Sequence, residues 1–312
     1  MRNFLGFAFL LVSFLYACNS SQKTVAQVQE TTYAAKENAL LWKVTGNELQ
    51  TPSYVFGTIH MIGKDDFFLT DDMRKAFGET DKVVFEINME EMNDMSILFK
   101  LMGKITMEGG KSLKDLVSAE DYKLVEKHFN DMGLPLMFLE KIKPLFLSTF
   151  ASGDMAPGDF QSGDLKSYEM EFMEMAQKDK KEMGGLETIE FQLSMFDSIP
   201  YEAQAEMLVD AIKGSGEGED QFKQMVEMYK RQDIPNLYKM IEGDTEGVAE
   251  FEDLLLVGRN KNWIPIMAEM MKGKSTFFAV GAGHLGGENG VIALLRKKGY
   301  QVTAVDPVKV RP

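Results

Sequence analysis

STFFAVGAGHLGGENGVIALLRKKGYQVTAV, residues 275–305, decides the fold class. Ser275–Val280 is a short run ending in four apolar residues, the mark of a buried strand. Gly281–Asn289 follows as a glycine-rich loop. Gly290–Lys298 has the spacing of an amphipathic helix, and Tyr300–Val305 is a second strand. A strand, a helix and a strand over so few residues predict a right-handed parallel crossover, and with it an α/β protein.

Working outward, Lys82–Asn88 (KVVFEIN) is another buried strand. Ala39–Thr45 and Pro52–Ile59 flank Gly46-Asn47 and predict a hairpin. Asp71–Thr80 reads as a short helix capped by Thr70 or Asp71. Helical spacing recurs near Glu90–Met102, Ala119–Met132, Pro135–Phe150 and Asp164–Lys178, where Leu165, Tyr168, Phe172 and Met175 form one stripe. Glu182–Leu186 fits a short strand. Thr188–Asp197, Tyr201–Lys213, Glu219–Gln232 and Thr245–Asn260 fit helices, and Gly214–Gly218 fits a loop. The expected fold is a mixed sheet built from the N- and C-terminal parts, with a large helical insertion, about 89–273, forming a lid. Many of the 23 Met fall in that insertion, where they serve as adaptable core filler.

The chain has 312 residues and 48 Asp+Glu against 34 Lys+Arg, a net charge of −14. Such an acid excess argues against a nucleic-acid partner, which needs a basic footprint. The single Cys, Cys18, excludes an internal disulfide and an all-Cys zinc site. Imidazole chemistry rests on His60, His128 and His284.

Arg2 and the apolar run Phe4–Tyr16 have the form of a secretory signal, too short to span a bilayer. Leu15-Tyr16-Ala17-Cys18 resembles a bacterial lipobox. Residues 1–17 are therefore expected to be a signal peptide, Cys18 the lipidated N-terminus, 18–38 a flexible tether and 39–310 the domain. Asn19 is not the Asp of inner-membrane retention, so the expected location is the periplasmic side of the outer membrane.

Gly57-Thr-Ile-His60 and Gly281-Ala-Gly-His284 each place a His three residues after a Gly at or beyond a strand end. Glycine lets the backbone bend or approach a neighbour, and a His just past it reaches the crevice where open α/β sheets bind ligands. Glu86 sits inside a strand otherwise fit for burial, where a carboxylate needs a partner. Two His and one carboxylate can hold a divalent metal with positions left open, or without metal can carry out general acid–base hydrolysis. His128 lies on the border of an amphipathic helix with no such motif and reads as structural.

The ordered set Tyr54–His60, Val83–Glu86, Gly185–Thr188 with Glu190 and Gln192, Arg259-Asn260 with Trp263, and Phe278–Leu285 resembles the TraB/GumN family, which includes the Tiki proteases. The likeness runs from about Leu41 to Val305. It implies a fold akin to the erythromycin esterase and ChaN-like group, and a metal-dependent peptidase using Mn, Co or Zn. It maps metal binding onto His60, Glu86 and His284. Arg259 then becomes an oxyanion or carboxylate clamp, or else a helix-end salt bridge, with Asn260 beside it. Glu187 and Glu190 either orient the His or cap the helix opened by Thr188. The expected function is a lipid-anchored cell-envelope hydrolase acting on a peptide or protein. The alternative is a non-catalytic peptide- or haem-binding relative, for which Tyr54 is a further candidate ligand.

Overall fold

The computed structural model describes residues 33–89, 103–151, 164–213, 215–242, 251 and 253–307. The expected helix near Glu90–Met102 lies outside them, as do the signal segment and Cys18. From Tyr33 onward the chain packs as one unit. That is a few residues before the expected domain start, because Arg296 Nη1 donates to the carbonyls of Tyr33 and Ala34 at 3.2 and 3.4 Å.

The strands are β1 (Leu41–Thr45), β2 (Ser53–Thr58), β3 (Ile62–Gly63), β4 (Lys82–Ile87), β5 (Leu165–Lys166), β6 (Glu182–Glu187), β7 (Thr276–Gly281) and β8 (Gln301–Val305). Six of them form a sheet in the order β6-β4-β7-β2-β1-β8, and β3 pairs with β5 apart from it. The hairpin is present, with Leu41 opposite Phe56 and a turn held by positive φ at Gly46, Asn47 and Glu48. β6, β4, β7 and β2 run parallel. β8 shares their direction but pairs antiparallel with β1, so the predicted crossover from β7 passes over β2 and β1. The sheet joins both ends of the chain as expected. One correction is that β6, from inside the presumed helical insertion, supplies an edge strand.

The described helices are α1 (Asp71–Gly78), α2 (Ala119–Asp131), α3 (Pro144–Ala151), α4 (Tyr168–Asp179), α5 (Ile189–Phe196), α6 (Tyr201–Lys213), α7 (Ser215–Lys230), α8 (Ile234–Glu242), α9 (Gly258–Gly273) and α10 (Val291–Lys297). Four depart from the sequence reading. Pro135–Phe150 is not continuous: a 3-10 turn at Leu136–Phe138 ends first, and Pro144 opens α3, where its missing N–H costs nothing. α7 begins at Ser215, inside the expected loop. α8 was not anticipated. α9 runs well past Asn260 and through Pro265, because Trp263, Met267 and Met271 continue its buried face.

An aromatic cluster ties the sheet to the helices. Phe56, Phe172 and Phe277 meet at 5.0–6.0 Å between ring centres, and Phe77 stacks on Phe172 at 5.5 Å. Tyr168, Phe172 and Ala176 are the buried i, i+4, i+8 face of α4. Leu165, placed in the same stripe by sequence, instead lies in β5. A second apolar cluster joins α2, α3 and α6 through Phe129, Leu147 and Leu208.

Candidate active site

The four parallel strands all end at one edge of the sheet, and each delivers part of the site there. β2 and β7 are neighbours in register, with Thr58 opposite Gly281, so the two Gly-x-x-His turns emerge side by side. A Cβ on Gly57 would lie 2.7 Å from Leu285 Cδ1 and 3.1 Å from Ala282 Cα. Glycine is required there because one turn packs onto the other. Gly281 faces the Glu86 carboxylate: its N–H donates to Oε1 at 2.8 Å, and a Cβ would stand 3.2 Å from that oxygen.

Arg259 lies at the centre of a buried network on the floor of the site. A π-helical turn at Asp253–Val257 leads into α9 and presents the Leu255 carbonyl to Arg259 Nη1 at 3.2 Å. Nη1 also donates to His284 Nε2 at 3.1 Å. Nη2 donates to Glu86 Oε2 at 2.5 Å and to Glu187 Oε1 at 2.6 Å, and Nε donates to Glu187 at 3.0 Å. All five guanidinium N–H groups are thus spent. Trp263 Nε1 donates to Glu187 Oε2 at 3.0 Å, its ring lies 4.4 Å from that of His284, and Gln192 Nε2 reaches Glu187 at 3.2 Å and Glu86 at 3.4 Å.

His284 is 4% exposed. Its Nδ1 is 2.7 Å from Asn260 Oδ1, an acceptor, so the network assigns the proton to Nδ1 and leaves Nε2 to accept from Arg259. Burial pushes its pKa down to about 4, with Glu86 opposing and Arg259 assisting, so at neutral pH the ring is uncharged. Glu86 behaves oppositely. Burial would raise its carboxyl, but the charges of Arg259 and His60 and the Gly281 amide outweigh it and keep it ionised, well below the usual carboxylate range.

His60 stands apart from this floor, with 74% of its side chain exposed. Its Nδ1 is 3.1 Å from Glu169 Oε1. That carboxylate is itself fixed by Thr58 Oγ1 at 2.7 Å and Ser167 Oγ at 2.9 Å. The hydrogen bond to Glu169 raises the His60 pKa to about 9. Among the described residues His60 Nε2 makes no hydrogen bond.

His60, Glu86, Arg259 and Gly281–His284 line one cavity of about 690 Å³. Its walls are apolar: Met195 and Phe196 from α5, Phe222 and Met225 from α7, Leu237 from α8, and Leu255. Helices of the middle segment therefore face the sheet edge across the cavity.

The structure brings His60, Glu86, His284, Arg259, Asn260 and Glu187 together. It does not bring in Glu190, which is exposed on the first turn of α5, where an acid suits the helix dipole. Tyr54 does not line the cavity, and its hydroxyl donates to Glu79 at 2.8 Å. His128 is away from the cavity on α2, edge-on to Phe129, with a buried Nε2 that lacks a partner among the described residues. Glu169 was missed. In sequence it is only an acid in the first turn of a helix capped by Ser167, and nothing local marks it as the partner of His60.

A family model described as the TraB/PrgY/gumN family matches residues 40–304, and the chain belongs to that family. Similar proteins include "Metalloprotease TIKI1" of Danio rerio, 22% identical over 85% of this chain and 63% of the relative. "Metalloprotease TIKI2" of Xenopus tropicalis is 22% identical over 85% and 59%, and "Metalloprotease TIKI1" of Homo sapiens 21% over 85% and 61%. The chain thus spans about three fifths of the length of these relatives. No solved structure matches it.

Proposed function

We propose that this member of the TraB/PrgY/gumN family is a hydrolase of peptide bonds in the cell envelope, held to a membrane by lipid on Cys18. The observation that carries the reading is His60, braced by Glu169 and largely open to water, at the mouth of an apolar cavity with a charged floor. A cavity of this size and lining accepts one or two large apolar side chains. The preferred substrate is a peptide with Leu, Met or Phe beside the scissile bond.

The relatives' name, metalloprotease, points to a metal, for which the family resemblance implies divalent Mn, Co or Zn. The donors His60, Glu86 and His284 are of the right chemistry but are not placed to hold one. Arg259 occupies the His284 Nε2 lone pair and one Glu86 oxygen. Among the described residues no three His, Cys, Asp or Glu converge on a single ion. Hydrolysis would then fall to the chain's own groups.

His60 Nε2 takes a proton from water as the water's oxygen attacks the peptide carbonyl. Glu169, bonded to Nδ1–H, stabilises the imidazolium that forms. The tetrahedral intermediate then collapses, the C–N bond breaks, and His60 returns the proton to the leaving amine. Arg259 acts as a fixed positive charge beneath the bond, since its N–H groups are already engaged.

His60→Ala is expected to lower cleavage of a peptide library at least about a hundredfold while leaving the urea midpoint unchanged, because the side chain is exposed. Full activity in a His60→Ala/His284→Ala double variant would sink the assignment. The spent donors of Arg259 also favour a second reading, capture of a peptide without turnover. In that case a bound peptide would be recovered intact in a 1:1 complex.

A further inference from the structure

We propose that Arg259 is the resident cation of this site, filling the place between Glu86 and His284 where a divalent ion would bind, so that metal enters only by displacing it. Displacement of this kind concerns metal binding alone and is independent of whether peptide bonds are hydrolysed.

Glu86 Oε1 and His284 Nε2 stand 3.7 Å apart, a span that a single ion bound to both would bridge at ordinary ligand distances. Both residues are already turned to the guanidinium, through Glu86 Oε2 at 2.5 Å and His284 Nε2 at 3.1 Å. The tautomer is set by Asn260 at 2.7 Å, which directs the Nε2 lone pair at Arg259. Glu187 grips the same guanidinium through both oxygens, and the cation lies over the Trp263 ring at 4.9 Å. Arg259 is 8% exposed and cannot shed its charge at any working pH.

A second cation a few ångströms from this fork meets strong repulsion in a buried setting. Replacing Arg259 by a neutral residue reverses the balance. Two buried carboxylates then face each other without a counter-ion, and a divalent ion supplies the missing charge. A neutral variant is therefore expected to gain metal affinity.

Full-length protein is titrated with Mn²⁺, Co²⁺ and Zn²⁺ by calorimetry, with Co²⁺ absorption as a second readout. Wild type is expected to bind more weakly than about 100 μM. Arg259→Met should bind at least about tenfold tighter and lose that gain when His284→Ala is added. The proposal is overturned if wild type takes one equivalent tightly and Arg259→Met weakens it or leaves it unchanged. Should Arg259→Met not fold, the wild-type Arg259 Nε–H resonance decides during a Zn²⁺ titration. Its persistence without binding, or its loss as zinc binds, supports displacement. Its persistence while zinc binds at His284 overturns it.

Discussion

Glu169 shows how much a single side chain can do without leaving a trace in sequence. It lies next to Tyr168 on a helix whose buried face is Tyr168, Phe172 and Ala176, and that packing aims it at His60. As a base, His60 works only when deprotonated. Glu169 raises its pKa toward about 9, so kcat/KM should climb with pH and level off near there. Glu169→Ala removes the cause of the shift. The plateau should then begin near the ordinary value of 6.5, and kcat should fall by about ten- to a hundredfold with KM little changed. A purely structural role for Glu169 would lower activity without moving the pH profile, and that outcome would count against the dyad. The residues legible in sequence were those whose chemistry is odd for their setting: Glu86 inside an apolar strand, and two His each three residues past a Gly. Asn260 and Glu187 came from the family resemblance. Glu169 is an ordinary acid in an ordinary first helical turn, and only tertiary packing distinguishes it.

At the scale of elements, α3 and α5 are joined by Lys143, which is 2% exposed and ion-paired with Asp197 at the end of α5. The join matters because α5 carries Gln192 of the floor network and Met195 and Phe196 of the cavity wall. Removing one partner of a buried pair costs more than removing the buried charge itself. Asp197 is itself 40% exposed and screened by water, so Asp197→Ala should lose less than a fully buried pair would, about 2 kcal/mol in urea unfolding, by stranding the ammonium. Lys143→Met keeps the stem's packing and should lose about 1 kcal/mol or less. Equal losses would mean that the ammonium escapes to water. The elements that sequence located well are those with a period and a cap, such as α1 behind Thr70 and α5 behind Thr188. Those it missed were governed by distant contacts. β6 was legible as a short strand at Glu182–Leu186, but not its place in the main sheet, which pairing with β4 gives it. Pro265 does not stop α9, because the Arg259–Trp263–Met267 face is needed on both sides of it.

Over the whole molecule, charge decides how the protein can be held at a membrane. The formal net charge is −14, and loss of residues 1–17, with Arg2 as their only charged side chain, makes it −15. Such a chain gains nothing from an anionic lipid surface, which attracts clustered Lys and Arg. Among the described residues no helix is long and apolar enough to cross a bilayer. The proposed lipid at Cys18 would need more than one acyl chain to hold the protein, because a single chain binds only marginally. The mature protein should therefore begin at Cys18, carry the mass of that lipid, and partition into a detergent phase. Cys18→Ala should abolish both the added mass and the partitioning. It should leave the urea midpoint unchanged, because the packed unit starts at Tyr33. If Cys18→Ala protein partitions as wild type does, and wild type retains residues 1–17, the uncleaved apolar run is the anchor and the lipid proposal falls.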